Sequence, residues 1–131
     1  MKSPGHQQWP DHQVKESHLD GTARVAVGGE VVAESNDVIR VDEDRNPVRL
    51  YFPRDSISSS RLEPSSTTSR CPFKGTASYF NLKLPDTTLK DAVWCYEEPF
   101  EEHRDLKGRL AFYNEKFANM DIRTQGASTR S

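Results

Sequence analysis

The sequence predicts an all-β fold, in which antiparallel strands and one or two short helical turns form a single domain. Apolar and polar residues alternate through residues 76–84, which is the period of a strand with one face toward a core. Gly28 and Gly29 separate two strand-like runs, as in a hairpin turn. Pro53 and Pro99 each end another such run. The 131 residues are enough for one domain that buries most of its apolar surface.

In the first half of the chain, residues 1–20 have no sustained period and are expected to form an extended arm, with Trp9 docking on the domain. A hairpin is expected next, because the Gly28-Gly29 pair supplies the positive φ that a two-residue turn requires. The acidic run at 42–47 lacks the glycine and the closing glutamate of a calcium loop, so a solvated turn is expected there. The strands predicted in this half are 23–27, 30–34, 38–41 and 48–52.

In the second half, residues 56–70 are rich in Ser and Thr and are expected to be a surface loop. Short helical turns are expected within 100–108, ending at Gly108, and at 114–118. The predicted strands are 76–84, 89–96, 109–113 and 120–123. Residues 124–131 are small and polar and are expected to be a disordered tail, which leaves 21–123 as the β domain.

Charge and cysteine usage exclude several classes of function. The 18 basic and 20 acidic residues are interspersed and sum to −2, so there is no basic stripe for nucleic acid. No apolar run reaches the length of a membrane span and the first residues lack the apolar core of a signal peptide, so we expect a cytoplasmic protein without a membrane partner. Cys71 and Cys95 are expected to be thiols, and no metal or other cofactor is expected.

Side-chain parity divides the strands into two kinds of face. The predicted core takes the apolar side chains of one parity, which are Val48, Leu50, Phe52, Phe80, Leu82, Leu84, Leu110 and Phe112. All four tyrosines belong to the other faces, and they are Tyr51, Tyr79, Tyr96 and Tyr113. Such rings with polar tips suit a concave binding site or a subunit interface, or they cover the second side of a strongly bent sheet.

The stretch at 71–80 (CPFKGTASYF) is the densest in reactive side chains. Lys74 precedes a glycine, which lets the backbone approach a ligand closely, and its amine could hold an anion or act as a base or nucleophile. Cys71 would be a nucleophile only beside a cation, for which Arg70 and Lys74 are the candidates. In the alternative interpretation Cys71 is a small buried side chain and Lys74 pairs with a carboxylate of Asp55 or Glu97.

Four motifs in this order resemble the DUF427 family of small bacterial and fungal domains. They are YFPRD at 51–55, CPFKGTASYF at 71–80, AVWCYEEP at 92–99 and LAFY at 110–113. The resemblance covers residues 4–123 and implies a compact, bent two-sheet β-tent, similar to Mss4-like proteins and to the ligand-binding domain of cereblon. It implies no assigned activity. Arg70 stands where similar sequences often have histidine, which argues against a general base or a metal ligand at that position.

Three functions follow as hypotheses. The first is a binding domain for a small anionic or carbonyl-bearing molecule, with Arg54 and Lys74 holding the ligand. Its predicted pocket residues are Tyr51, Arg54, Phe73, Lys74, Tyr79, Trp94 and Tyr96. The second is a small enzyme in the same pocket, with Lys74 or Cys71 reactive and Asp55 or Tyr79 as the proton partner. The third is a protein interaction module or a homodimer.

Overall fold

The computed structural model describes residues 4–9 and 11–125, and within these residues it contains ten strands and one short α-helix. The helix, α1, spans Pro4–Gln8. The strands in chain order are β1 (Val14–His18), β2 (Thr22–Val27), β3 (Glu30–Ser35), β4 (Ile39–Glu43), β5 (Arg49–Tyr51), β6 (Leu62–Cys71), β7 (Gly75–Lys83), β8 (Thr88–Tyr96), β9 (Leu110–Phe112) and β10 (Met120–Gln125). The prediction of an all-β fold is confirmed.

The strands form three antiparallel sheets, where the family resemblance implied two. A long sheet has the order β6-β7-β8-β9, and two short sheets have the orders β1-β4-β5 and β10-β2-β3. In the described part of the chain, the first short sheet is linked to the long one by a β-bridge between Phe52 and Leu110, just beyond the end of β5. A third sheet arises because the two short sheets cover opposite faces of the long one and share no ladder with each other.

Two apolar layers result, one on each face of the long sheet. The layer against β10-β2-β3 is built from side chains such as Val25, Phe52, Leu82, Val93 and Phe112. The layer against β1-β4-β5 is built from Ile39, Val41, Tyr51, Ala77, Trp94, Tyr96, Leu106 and Ala111. Alternation along the strands explains this division, because successive side chains point to opposite faces.

The hairpin prediction is confirmed, since Gly28 and Gly29 have φ values of 57° and 88° between β2 and β3. The two predicted helical turns are present as 3₁₀ helices at Glu101–Leu106 and Asn114–Lys116. Two further 3₁₀ helices, at Arg54–Ser56 and Ser59–Arg61, lie in a stretch for which no helical turn was expected. None of the helices in the described part of the chain is long and apolar enough to cross a membrane.

The prediction of a loop throughout 56–70 is wrong, because Leu62–Cys71 forms β6 and pairs with β7. β6 is an edge strand that pairs with β7 alone, and of its side chains Leu62 and Cys71, near its two ends, pack against the apolar layers. Ser65 and Thr67 donate hydrogen bonds to the carboxylate of Asp91 on β8, at 2.6 and 2.8 Å. Hydroxyls on this strand therefore bind within the sheet instead of to solvent.

Three further expectations differ from the structure at element ends. Parity predicts Val48 in the core, but it is 46% exposed, because β5 begins one residue later and strand alternation does not extend to position 48. Part of the predicted arm, Val14–His18, is β1 and pairs with β4. In the predicted tail, residues 124 and 125 end β10, while 126–131 lie outside the described residues.

Candidate functional site

A cavity of about 310 Å³ opens between β4 and β5 on one side and β7 and β8 on the other. Its aromatic wall consists of Tyr51, Tyr79, Trp94, Tyr96 and Tyr113. Its charged and reactive side chains are Glu43, Arg49, Arg70, Cys71 and Lys74. These residues come from five separate strands and the turns beside them, so the cavity exists only in the folded chain.

Strand alternation places the two central aromatics in the cavity wall. On β8, Val93 and Cys95 face the layer against β10-β2-β3, while Trp94 and Tyr96 face the opposite layer. The ring of Trp94 packs edge-on against Tyr113, with 5.1 Å between centroids. Burial raises the pKa of the Cys95 thiol to about 11, which keeps that side chain a neutral core group.

Lys74 lies in the turn between β6 and β7, where it is only 6% exposed. Its ammonium pairs with the Glu43 carboxylate at 2.5 Å and donates to the Cys71 thiol at 3.8 Å. The turn requires glycine at position 75, because φ is +126° there and a Cβ would approach the Glu98 carbonyl oxygen to 3.3 Å. The geometry places a thiol beside an ammonium, although Glu43 shares that positive charge.

Glu43 also accepts a hydrogen bond from His12 Nε2 at 3.0 Å. Burial is the largest single influence on this carboxyl and raises its pKa, but the hydrogen bonds and the positive charges of Lys74 and His12 together outweigh it. The pKa of Glu43 therefore lies below the ordinary value of 4.5. Glu43 is therefore a charged carboxylate at neutral pH.

The depressed pKa of Glu43 predicts an acid-dependent loss of stability. A carboxyl whose pKa falls on folding stabilises the native state above its unfolded pKa, and this contribution disappears as pH falls through the folded pKa. We expect the difference in unfolding free energy between wild type and Glu43→Gln to be largest near neutral pH and to shrink below pH 4.5. Urea unfolding at a series of pH values measures it, and a difference that stays constant with pH would contradict the prediction.

Arg49 forms the side of the cavity next to Trp94. Its guanidinium lies 5.0 Å from the Trp94 ring centroid and 5.5 Å from that of Tyr113. It also donates two hydrogen bonds to Glu115, at 2.8 and 2.6 Å, and these lower the pKa of that carboxyl. The bidentate pair holds Arg49 as a rigid part of the wall.

Five of the seven predicted binding residues line this cavity: Tyr51, Lys74, Tyr79, Trp94 and Tyr96. Phe73 does not, because its ring turns toward the N-terminal segment and stacks on His12 at 4.2 Å. Arg54 is also outside, since its guanidinium lies over the Phe80 ring at 4.8 Å, on the other face of the long sheet.

Among the catalytic candidates, Lys74, Cys71 and Tyr79 line the cavity, and the Tyr79 hydroxyl lies 3.0 Å from Ser69 Oγ. Asp55 is exposed, next to Arg54, and is not a lining residue. The suggested partners of Lys74 were Asp55 and Glu97, but its partner is Glu43. Among the described residues no group of three His, Cys, Asp or Glu side chains is placed to hold a metal ion.

The prediction missed Glu43, although a signal was present. Ile39 and Val41 are buried on one face of β4, and parity puts Glu43 on the same face. A carboxylate that continues a buried stripe needs a partner, and the strand pattern alone could have marked it as a candidate. The partner itself, 31 residues away, was not available from the pattern.

The N-terminal segment packs beside the cavity. The Gly5 amide donates to the Pro72 carbonyl at 2.7 Å, and Trp9 lies 6.3 Å from Phe73 while remaining 50% exposed. A neighbouring groove of about 800 Å³ runs along this segment and shares Asn46 and Pro72 with the cavity. Most of the side chains that line it are exposed, so we take the smaller cavity as the candidate site.

Gly5→Ala will displace the N-terminal segment from the domain. A Cβ at this position would lie 2.7 Å from both the Pro72 carbonyl oxygen and the Phe73 ring, closer than van der Waals contact allows. We expect faster proteolysis within residues 4–12 and a change in Trp9 fluorescence, with the β domain still folded. Gln7→Ala, at an exposed position of the same helix, is the control, and equal proteolysis of the two variants would contradict the prediction.

A comparison with curated proteins found no match to this chain. A comparison with protein-family models matched residues 15–126 to a family described as a domain of unknown function, DUF427. The matched range contains nine complete strands and all but the first residue of β1, and it includes each lining residue named above. The chain therefore belongs to the DUF427 family.

Proposed function

We propose that this protein binds a small anionic or carbonyl-bearing molecule in the cavity between the β1-β4-β5 sheet and the long sheet. The observation that carries the proposal is the composition of the wall, in which five aromatic rings accompany three cationic side chains and a single carboxylate. Concave sites with an apolar, aromatic lining and a few polar groups are typical of small-molecule binding. The volume of about 310 Å³ lies near the lower end of the usual range of roughly 300–1,000 Å³ and favours a small ligand.

Charge supports an anionic group on the ligand. The whole chain carries a net charge of −2, whereas Arg49, Arg70 and Lys74 outnumber Glu43 in the cavity. Lys74 is paired with Glu43 and Arg49 with Glu115. Arg70 is exposed where the cavity borders a second pocket that is also lined by Glu97 and Glu98, and its guanidinium has no ion pair or hydrogen bond with the described residues. A free guanidinium at the edge of an aromatic pocket is a suitable contact for a carboxylate or phosphate.

The test is a thermal-shift screen of a metabolite library against wild type and Arg70→Gln. A ligand that binds only the folded state raises the melting temperature. We expect anionic hits whose affinity falls roughly tenfold or more in Arg70→Gln, because a charge-assisted hydrogen bond is lost. Arg104→Gln, which removes an exposed arginine that lines none of the described cavities, is the matched control and will leave the affinity unchanged.

Lys74 is not the residue to replace in this screen, since removal of its charge is expected to destabilise the fold. A hit that Arg70→Gln and Tyr79→Phe both leave unchanged would place its binding elsewhere and overturn the proposal. A complete absence of hits would also count against it. The remaining hypothesis would then be an interaction module or a homodimer, which light scattering distinguishes from a monomer.

A further inference from the structure

The Tyr96 hydroxyl is a buried polar group without a partner. The side chain is 6% exposed and lines the cavity, yet its hydroxyl makes no hydrogen bond to any described residue. Every fully enclosed side-chain N or O atom of the described residues has a hydrogen-bond partner. Since the Tyr96 hydroxyl has none, it must be in contact with the space of the cavity. Buried tyrosine hydroxyls normally have a hydrogen-bond partner. The partner of Tyr96 must therefore come from the cavity.

A second phenol offers a proton to the same cavity. The Trp94 indole N–H donates to the Tyr51 hydroxyl oxygen at 3.3 Å. Because indole is a donor only, Tyr51 must accept in this bond, and its own O–H proton has no acceptor among the described residues. Tyr51 is 1% exposed and lines the cavity beside Tyr96, with 6.3 Å between ring centroids.

Both phenols remain donors at ordinary pH. Burial is the main cause that raises the pKa of Tyr51 and of Tyr96 far above the usual tyrosine range. The buried part of the cavity is also close to neutral, since the Lys74 charge is balanced by Glu43. This part of the cavity thus has two O–H donors without a matching acceptor and without an excess charge.

A carbonyl oxygen suits this arrangement, because it has two lone pairs and brings no proton of its own. A ligand hydroxyl would accept equally well but would bring a proton that needs a further acceptor. At the exposed part of the cavity, Arg70 instead favours an anionic oxygen. The two parts of the cavity therefore select different groups on one molecule.

We propose that the ligand is a small oxo acid, whose neutral carbonyl oxygen accepts hydrogen bonds from Tyr51 and Tyr96 and whose anionic group pairs with Arg70. This inference rests on the proposed function and specifies the ligand class of the same site. Trp94 acts as a positioning residue, since its indole holds the Tyr51 oxygen as an acceptor and directs the phenol proton elsewhere.

The experiment uses three probes of matched size: levulinate, which has both groups, valerate, which lacks the oxo group, and methyl propyl ketone, which lacks the carboxylate. Titration of the full chain is followed by NMR, with a dissociation constant on the order of 1 mM expected for levulinate from its size. We expect wild type to prefer levulinate over valerate roughly fivefold to tenfold. Tyr96→Phe will remove most of this preference while valerate binds as before. Arg70→Gln will weaken both acids and leave the ketone unaffected.

Equal affinity for levulinate and valerate, or a preference that Tyr96→Phe retains, overturns the oxo-acid inference. In either case valerate binding that depends on Arg70 would leave the proposed function standing. If none of the three probes binds up to about 50 mM, the oxo-acid inference is overturned, since fragments that match a site bind in this range. The library screen then decides on the proposed function separately. Thermal melting of Tyr96→Phe verifies that the variant is folded.

Discussion

Glu43→Gln is expected to lower the free energy of unfolding by about 3 kcal/mol, the lower end of the range for breaking a buried ion pair. The substitution leaves the charge of Lys74, a residue only 6% exposed, without a counter-charge, since a neutral amide and the Cys71 thiol are then its neighbours. An uncompensated buried charge costs much more than the pair contributes, because the lost hydration is no longer balanced by a partner. Urea unfolding measures the change.

The double variant Glu43→Gln with Lys74→Met provides the decisive comparison. Removal of both charges abolishes the uncompensated ammonium, so we expect the double variant to be more stable than Glu43→Gln alone. Arg24→Gln is the surface control, since its pair with Glu34 is about half exposed on both sides, at 45% and 47%, and exposed pairs contribute about 0–1 kcal/mol. If Arg24→Gln and Glu43→Gln lowered the unfolding free energy equally, the Glu43–Lys74 pair would contribute no more than an exposed ion pair, which would contradict the prediction.

Phe52→Ala is expected to cost about 3–5 kcal/mol, the largest loss among the single substitutions considered. Phe52 is fully buried, packs edge-on against Phe112 at 5.5 Å, and exchanges both backbone hydrogen bonds with Leu110 at 2.8 Å. It is also the residue after Tyr51, which faces the other apolar layer. The space left by the missing Phe52 ring would weaken the pairing with Leu110, which positions the neighbouring Tyr51 in the wall of the candidate site.

Val48→Ala is the matched control for Phe52→Ala, four positions earlier and of the same parity. Val48 is 46% exposed, so its truncation should change the unfolding free energy by no more than about 0.5 kcal/mol. Denaturant unfolding of both variants with an unchanged m-value tests the pair. If Val48→Ala lowered the unfolding free energy as much as Phe52→Ala, Val48 would contribute to the core as side-chain parity predicted.

A contribution to stability alone does not explain why an ion pair occupies the buried end of the cavity. Apolar side chains of similar size often stabilise a buried site as well as an ion pair does. At this site the pair keeps the ammonium next to Cys71 and keeps the buried end of the cavity near neutral. In the proposed oxo-acid complex this neutrality makes the two phenols, and not a cation, the contacts of the carbonyl oxygen.

Several features of the fold were accessible from local sequence. Strand alternation identified eight of the ten strands in the described residues at least in part, and it missed β1, which was expected to belong to the arm, and β6. The Gly28-Gly29 turn was identified because positive φ at two successive positions has few other solutions. Parity also put Tyr51, Tyr79 and Tyr96 on the face that lines the cavity, since side-chain direction along a strand is a local property.

The remaining features depend on which segments meet in space. The sequence predicted Arg54 and Phe73 in the pocket, but Arg54 lies over the Phe80 ring and Phe73 stacks on His12. β6 escaped prediction because an edge strand is held by its neighbour's backbone, which leaves no apolar pattern. The number of sheets was not predictable from local pattern either, because it depends on whether β1-β4-β5 and β10-β2-β3 pair with each other, and they do not.

The all-β class, the hairpin, the family and most of the aromatic wall follow from the amino-acid sequence, since each depends on neighbours along the chain. The pairing of Glu43 with Lys74 and the absence of partners for the Arg70 guanidinium and the Tyr96 hydroxyl among the described residues became apparent from the three-dimensional structure. Pairing and burial could not be predicted because they are relations between residues far apart in sequence. A pattern along one strand specifies the direction of a side chain but not what lies opposite it.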